Sequence, residues 1–275
     1  MKNADLNVVN DFGEEWSRFE QNMLTPKDFK NQFESYFHIF PWSDLGPKAV
    51  GADVGCGSGR WAEEVCKRVG SLYLVDPSHE ALNVAKKKLS GVPNVIFKEA
   101  TVGELPFEND SLDFAYCLGV LHHIPDTQAG VREIASKLKV GAPFLIYLYY
   151  AFDNRPLWFK LIWRTTDIAR KLICKLPTKI KHFVCDLIAF SIYFPVTRMA
   201  RLLRIFTDLS TNFPLYYYID CSIYVLRTDA LDRFGTRLEK RFTKNQVEKM
   251  LSDEGFSDIV FSDKIPHWCA VGIKK

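Results

Sequence analysis

At 275 residues, with 47% apolar and 25% charged side chains, the chain is long enough for one large core or a core with a sizeable insertion. Its formal net charge of +3 is too small to argue nucleic-acid binding from the total, and no nucleic-acid-binding module is readable. Seven scattered cysteines, odd in number and without a C-x-x-C pair, give neither a zinc pattern nor a disulfide framework, so no metal is expected and a reducing cytoplasm is.

The opening "MKNADLNVVNDFGEEW" is acidic and polar and lacks the apolar stretch of a signal peptide. Short apolar runs then predict strands at 49–54, 72–75, 94–98, 113–118 and 144–150, with helical spacing at 58–69, 79–89 and 129–139. Such alternation, with near-continuous apolar strands, argues a parallel sheet covered on both faces. Ligands of such sheets bind beyond the carboxyl ends of the strands, where strand order reverses.

From Phe152 the pattern changes. Leu157, Leu161, Ile168 and Leu172 repeat at helical spacing, and Pro177 ends that helix. A second helix is expected at about 179–194, and Pro195 suits the first turn of a third, in which Met199, Leu202, Leu203 and Phe206 oppose Arg198, Arg201 and Arg204. The most apolar stretch, Phe183 to Val196, contains Asp186 and Pro195, so no uninterrupted segment of bilayer length is expected and the chain reads as soluble. Further on, Thr243 and Gln246 make a capping-box signature and Gly255 is placed to end that helix. Two last strands, near 256–262 and 267–274, are joined by a short turn around Lys264–Pro266, which only antiparallel strands allow.

Chemistry concentrates after the strands. In "DVGCGSGR" (53–60), Gly55, Gly57 and Gly59 follow a strand and open a helix, where glycine lets a ligand approach the backbone and a helix start offers N–H groups. The dinucleotide pattern G-x-G-x-x-G fails at its third position, which holds Arg60. Asp76, in "LYLVDPS", ends the next strand, where a carboxylate can accept both hydroxyls of a ribose; its other reading is a helix N-cap before Pro77.

The stretch "KEATVGELPFENDSLDFAYCLGVLHHIPD" completes the set. Over about 100 residues, Val50 to Tyr150, the chain resembles class I S-adenosylmethionine-dependent methyltransferases, of the group resembling the ubiquinone and menaquinone biosynthesis enzymes. "FTKNQVEKMLSDEGFSDI" is similar to the last helix and hairpin of that family. The resemblance implies an α/β fold: a Rossmann-like, seven-stranded, mostly parallel sheet with a C-terminal antiparallel hairpin, plus a helical insertion. Residues 1–48 would form an N-terminal helical segment over the cofactor, 49–151 with 236–275 the core, and 152–235 the insertion.

S-adenosylmethionine is the implied cofactor. The resemblance places Asp53 at its amino group, Gly55, Cys56 and Gly57 beside its methionine part, and Asp76 with Pro77 at the ribose. Glu99, Ala100 and Thr101 would lie along the adenine, Cys117, Leu118 and Gly119 along the methionine side, and His122 near the transferable methyl. "FGEEWSRFEQ" resembles the family's opening helix, with Trp16 and Phe19 as candidates to cover the cofactor. His122 is the candidate base. Asp229, with Arg233 and Arg237, is a second candidate set facing the substrate; its plainer reading is a solvated helix face with local ion pairs.

The expected partner is a small-molecule methyl acceptor. Three roles are open for the basic, aromatic insertion: a lid, the first reading; a peripheral membrane contact; or a homodimer contact. Two other functions compete with the enzyme: a non-catalytic scaffold of the same fold, and an NAD-dependent oxidoreductase, which Arg60 disfavours.

Overall fold

The computed structural model describes residues 2–19, 25–207 and 212–275. Those parts of the expected N-terminal segment and insertion that fall at 1, 20–24 and 208–211, Glu20 and Gln21 of the opening motif included, lie outside the described residues. The chain divides into two compact units: Met1–Gln21, Gln32–Ala151 and Leu238–Lys275 make the first, Asn22–Asn31 and Phe152–Arg237 the second.

The first unit is built on seven strands: β1 (Val50–Val54), β2 (Ser71–Asp76), β3 (Val95–Glu99), β4 (Phe114–Leu118), β5 (Pro143–Tyr147), β6 (Phe256–Phe261) and β7 (Ala270–Lys274). Their order is β3-β2-β1-β4-β5-β7-β6, parallel except for β7, which runs against both β5 and β6. Successive residues of the central strands face opposite layers, and both layers are apolar. Ala115, Cys117, Phe144 and Ile146 share a core with α5 (Thr127–Lys137) and α10 (Lys244–Asp253). Phe114, Tyr116, Leu145 and Tyr147 pack on the other side with Phe33 and Phe37 of α2 (Pro26–Phe37), α3 (Ala62–Val65) and α4 (His79–Lys88). This two-sided burial is why the strands read as continuous apolar runs. Gly51 belongs to it: a Cβ there would lie 2.2 Å from the ring of Phe114.

The chain lays down β1, β2 and β3 in one direction, then crosses to β4 on the other side of β1. The reversal point therefore lies between β1 and β4, and the turns after β1, β2 and β4 meet above it. Helix α1 (Leu6–Arg18) begins at Asp5, whose side chain accepts from the Asn7 N–H, and packs against α4. The capping box of α10 forms as the sequence predicts, Gln246 N–H to Thr243 and Thr243 N–H to Gln246, and Gly255 follows at φ +82°.

Two local expectations are corrected here. The helix read over 58–69 shrinks to the four residues of α3, because Gly57 and Gly59 hold positive φ and delay helical geometry. The hairpin turn is longer than read, since β7 begins at Ala270.

The second unit is helical: α6 (Leu157–Ile173), α7 (Thr178–Ile188), a π-helical turn at Ala189–Tyr193, α8 (Phe194–Phe206) and α9 (Ile223–Gly235). α6 and α7 pack on α9, which buries Leu226, Ala230 and Leu231 completely or nearly so. Pro195 does not interrupt the second helix as the sequence reading had it. α7, the π turn and α8 run continuously from Thr178 to Phe206, 29 residues, long and apolar enough by length and composition to cross a membrane. Proline removes a donor and crowds the preceding turn, and the wider π turn just before it makes that room.

Candidate cofactor site

The corner after β1 is held by its own hydrogen bonds. Gly55 N–H and Cys56 N–H both donate to the Val75 carbonyl, at 2.7 and 3.0 Å. Gly57 N–H donates to Asp76 Oδ2 at 2.9 Å, while Asp76 Oδ1 accepts from Ser78 N–H at 2.9 Å. The expectation that this turn offers free N–H groups is thus corrected: these three are used inside the corner. What the glycines supply is backbone shape and clearance. Gly55 and Gly57 sit at φ +79° and +51°, and a Cβ on Gly57 would come within 2.8 Å of the Trp16 indole. Gly55 is approached in the same way by Val120, at 2.4 Å.

Around the corner lies a cleft of about 800 Å³, its open mouth included, lined entirely by the first unit. Val8, Phe12 and Trp16 form one wall, at i, i+4 and i+8 along α1. Gly55, Asp76, Pro77, Ala100, Thr101 and Leu118 come from the turns after four parallel strands, and Val120 and His123 from the loop that follows β4. The chain start is strapped across: Asn3 Nδ2 donates to the Asp126 carbonyl at 2.7 Å, Asp126 N–H donates back to Asn3 Oδ1 at 2.8 Å, and Thr101 Oγ1 donates to the Lys2 carbonyl at 2.9 Å.

Two buried carboxyls set the electrostatics. The sheet register places Asp53 between Leu74 of β2 and Tyr116 of β4. It is 1% exposed, and its Oδ2 has no hydrogen-bond partner among the described residues. Burial pushes its pKa up to about 8; the Tyr116 phenol restrains the rise, Asp76 reinforces it and Arg60 opposes it. Burial also lifts Asp76, to about 6, against the N–H bonds from Ser78 and Gly57.

Of the residues expected at the cofactor, the cleft wall therefore contains Trp16, Gly55, Asp76, Pro77, Ala100, Thr101 and Leu118. Gly57 touches it through Trp16, and Asp53 lies beneath it in the sheet. Cys56 and Cys117 are buried in the two core layers, and Phe19 is buried outside the wall. Glu99 is exposed and bonds His79 at 3.0 Å. Asp229 is half-buried on α9 in the helical unit and does not line the cleft.

The structure places the two adjacent histidines in different surroundings. His122 is fully buried, stacked on Tyr149 at 3.8 Å, and its Nδ1 accepts the Tyr149 N–H at 3.4 Å. Burial, then the charges of His123 and Arg241, push its pKa well below the ordinary histidine value, so it stays neutral with its proton on Nε2. His123 lines the cleft instead, and its Nδ1 donates to the Leu238 carbonyl at 2.6 Å, which puts the lone pair of its neutral ring on Nε2. Val8, Phe12, Val120 and His123 were not among the expected site residues. The i, i+4, i+8 stripe of α1 was the signal that could have found the first two.

A seven-stranded sheet of this order, with a glycine corner, a terminal carboxylate on β2 and a helix closing over both, defines the class I methyltransferase architecture. Comparison with known proteins agrees. Residues 52–146 match the family model described as a methyltransferase domain, in agreement with the resemblance of this stretch to class I S-adenosylmethionine-dependent methyltransferases of the menaquinone-biosynthesis group. YcgJ, an uncharacterized methyltransferase of Bacillus subtilis, is 37% identical over 104 residues, covering 37% of this chain and 41% of its own length. Demethylmenaquinone methyltransferase of Staphylococcus aureus is 30% identical over 138 residues, covering 46% and 57%. The chain thus spans little more than half of these curated relatives at most. Among solved structures, a chain from the complex of the Haloferax volcanii Trm112 activator with a provisionally described methyltransferase superposes with a TM-score of 0.55 at 13% identity, covering 97% of this chain and 96% of that one. A provisionally described methyltransferase from Bacillus halodurans gives 0.51 at 14% identity, covering 84% and 71%. At such identities the structures speak for the fold alone.

Proposed function

We propose that this chain transfers a methyl group from S-adenosylmethionine to a small-molecule acceptor in the cytoplasm. The observation that carries the reading is the buried pair Asp53 and Asp76, the first with an oxygen that no group among the described residues satisfies. Unpaired buried carboxylates are costly, and a ligand carrying a sulfonium and an ammonium supplies the missing positive charge. Asp53 and Asp76 are the residues that would hold it, with Trp16, Ala100 and Thr101 along the wall. When bound, the cofactor supplies a methyl group already activated on sulfur; the protein aligns the acceptor and excludes water.

The corner itself speaks against a nicotinamide dinucleotide: the N–H groups that cradle a pyrophosphate in that class are held here by Val75 and Asp76. Isothermal calorimetry tests the reading directly: S-adenosylmethionine and S-adenosylhomocysteine bind, NAD does not. Silence with both sulfur ligands at millimolar concentration removes the proposal.

A protic acceptor loses a proton on methylation. We assign that proton to His123 Nε2, at the cleft wall, rather than to His122. Nitrogen-15 shifts of the two rings should show opposite tautomers, with the proton on Nδ1 in His123 and on Nε2 in His122. The reverse pattern would withdraw the assignment.

A further inference from the structure

The helices of the second unit are apolar on the side that a soluble helix leaves polar. In α6, Asp167, Arg170 and Cys174 are buried on the inner side, while Leu157, Leu161, Ile168 and Leu172 stand outside, Leu157 at 82% exposure. In α7 through α8 the inner side is Cys185, Ala189, Tyr193, Thr197 and Ala200; the outer side presents Phe183, Leu187, Phe190, Met199, Leu202 and Phe206. Seventeen of the twenty-one exposed large apolar side chains among the described residues lie between 157 and 206. Patches of that kind mark an interaction surface.

Charge says what covers it. Residues 157–206 hold ten Lys or Arg and two acids, in a chain whose net charge is only +3. Both acids turn inward: Asp167 bonds Arg170 at 2.8 Å and Asp186 bonds Arg227 at 3.0 Å. Arg164, Lys175 and Lys179 have no ion-pair partner among the described residues and flank the outer apolar faces. Apolar faces bordered by unneutralised cations match an anionic interface.

We propose that the outer faces of α6 and of α7 through α8 dock the chain on the surface of an anionic lipid bilayer, lying in the plane of the headgroups. A second copy of the chain would set two strongly cationic units face to face. Crossing the bilayer would carry the inner side of the same helix, with its Asp186–Arg227 pair, into hydrocarbon. The proposal rests on the helical unit alone and stands or falls independently of cofactor binding.

The test is co-sedimentation of the full chain with vesicles of phosphatidylcholine, with or without 30% phosphatidylglycerol. Binding is expected to the mixed vesicles, at least tenfold weaker to phosphatidylcholine alone, and weakened by salt. Neutralising Lys175 and Lys179 to Gln should lower it by about fivefold per residue. Replacing Phe183 and Phe190 by Ser should lower it at least tenfold. The variants should keep the wild-type circular dichroism and S-adenosylmethionine affinity, since none of the four contributes to the core or the cleft. Equal recovery with and without vesicles overturns the proposal, as does a discrete dimer that ignores them. Vesicle-bound protein that salt and alkaline carbonate cannot release, and only detergent can, would mean a crossing helix and overturns it too.

Discussion

Phe114 and Phe183 are the same residue under opposite rules. In the sheet unit, Phe114 is fully enclosed between two layers, against Phe40 and over a glycine that exists to admit its ring. In the helical unit, Phe183 points outward at 68% exposure, while a lysine of the same helix, Lys181, is buried. Each unit is informative through its exception. Where the core is closed and apolar, the buried Asp53 carboxyl, unsatisfied among the described residues, marks the ligand; where ionic groups are turned inward and paired, the apolar excess outside marks the partner.

The largest expected effect separates the two. Phe114→Ala should cost about 4 kcal/mol, since it leaves a cavity inside a filled layer. Phe183→Ala should change stability by no more than about 0.5 kcal/mol. Urea midpoints in vesicle-free buffer measure both. A cost for Phe183→Ala comparable to that of Phe114→Ala would mean that its face is already packed in solution, and the contrast between the units would collapse.

Much of the sheet unit was legible because its signals are local. Apolar runs announced the five parallel strands, a turn around Lys264–Pro266 announced the closing pair, Thr243 and Gln246 announced a cap, and three alternating glycines announced a corner. What escaped depends on contacts far apart in sequence. The tautomer of His123 is set by the carbonyl of Leu238, 115 residues away. The corner N–H groups are taken by Val75 and Asp76, a pairing that no spacing rule reveals. Pro195 reads as a boundary on composition, yet a π turn one residue upstream lets the helix continue. In the helical unit the outward apolar stripes were legible as stripes. Periodicity alone does not say which side of a helix faces the core, and here burial of Cys185, Ala189 and Ala200 decides it.

The buried acids sharpen the comparison with effects of opposite sign. Burial alone would raise Asp167 in α6, but its bonds to Lys171 and Arg170 hold it below the ordinary carboxylate range. Its replacement by Asn should destabilise by about 3 kcal/mol, because Arg170 is left buried without its partner. Asp53 behaves the other way. Its folded pKa, about 8, exceeds the ordinary 3.8, so the native state holds its proton more tightly than the unfolded chain does. Stability of the ligand-free protein should therefore fall through this group as pH rises from about 4 to 8. Asp76 adds a similar loss that ends near pH 6. Asp53→Asn cannot ionise, so its advantage over the wild type should grow with pH and level off near 8, while its affinity for S-adenosylmethionine drops. A cationic ligand favours the ionised carboxyls, so wild-type binding should tighten with pH across the same window and release protons near pH 7. Calorimetry in two buffers of different ionisation enthalpy reads that release. Binding without proton release, together with an Asp53→Asn stability curve parallel to that of the wild type, would show that the carboxyl already has its countercharge within the protein.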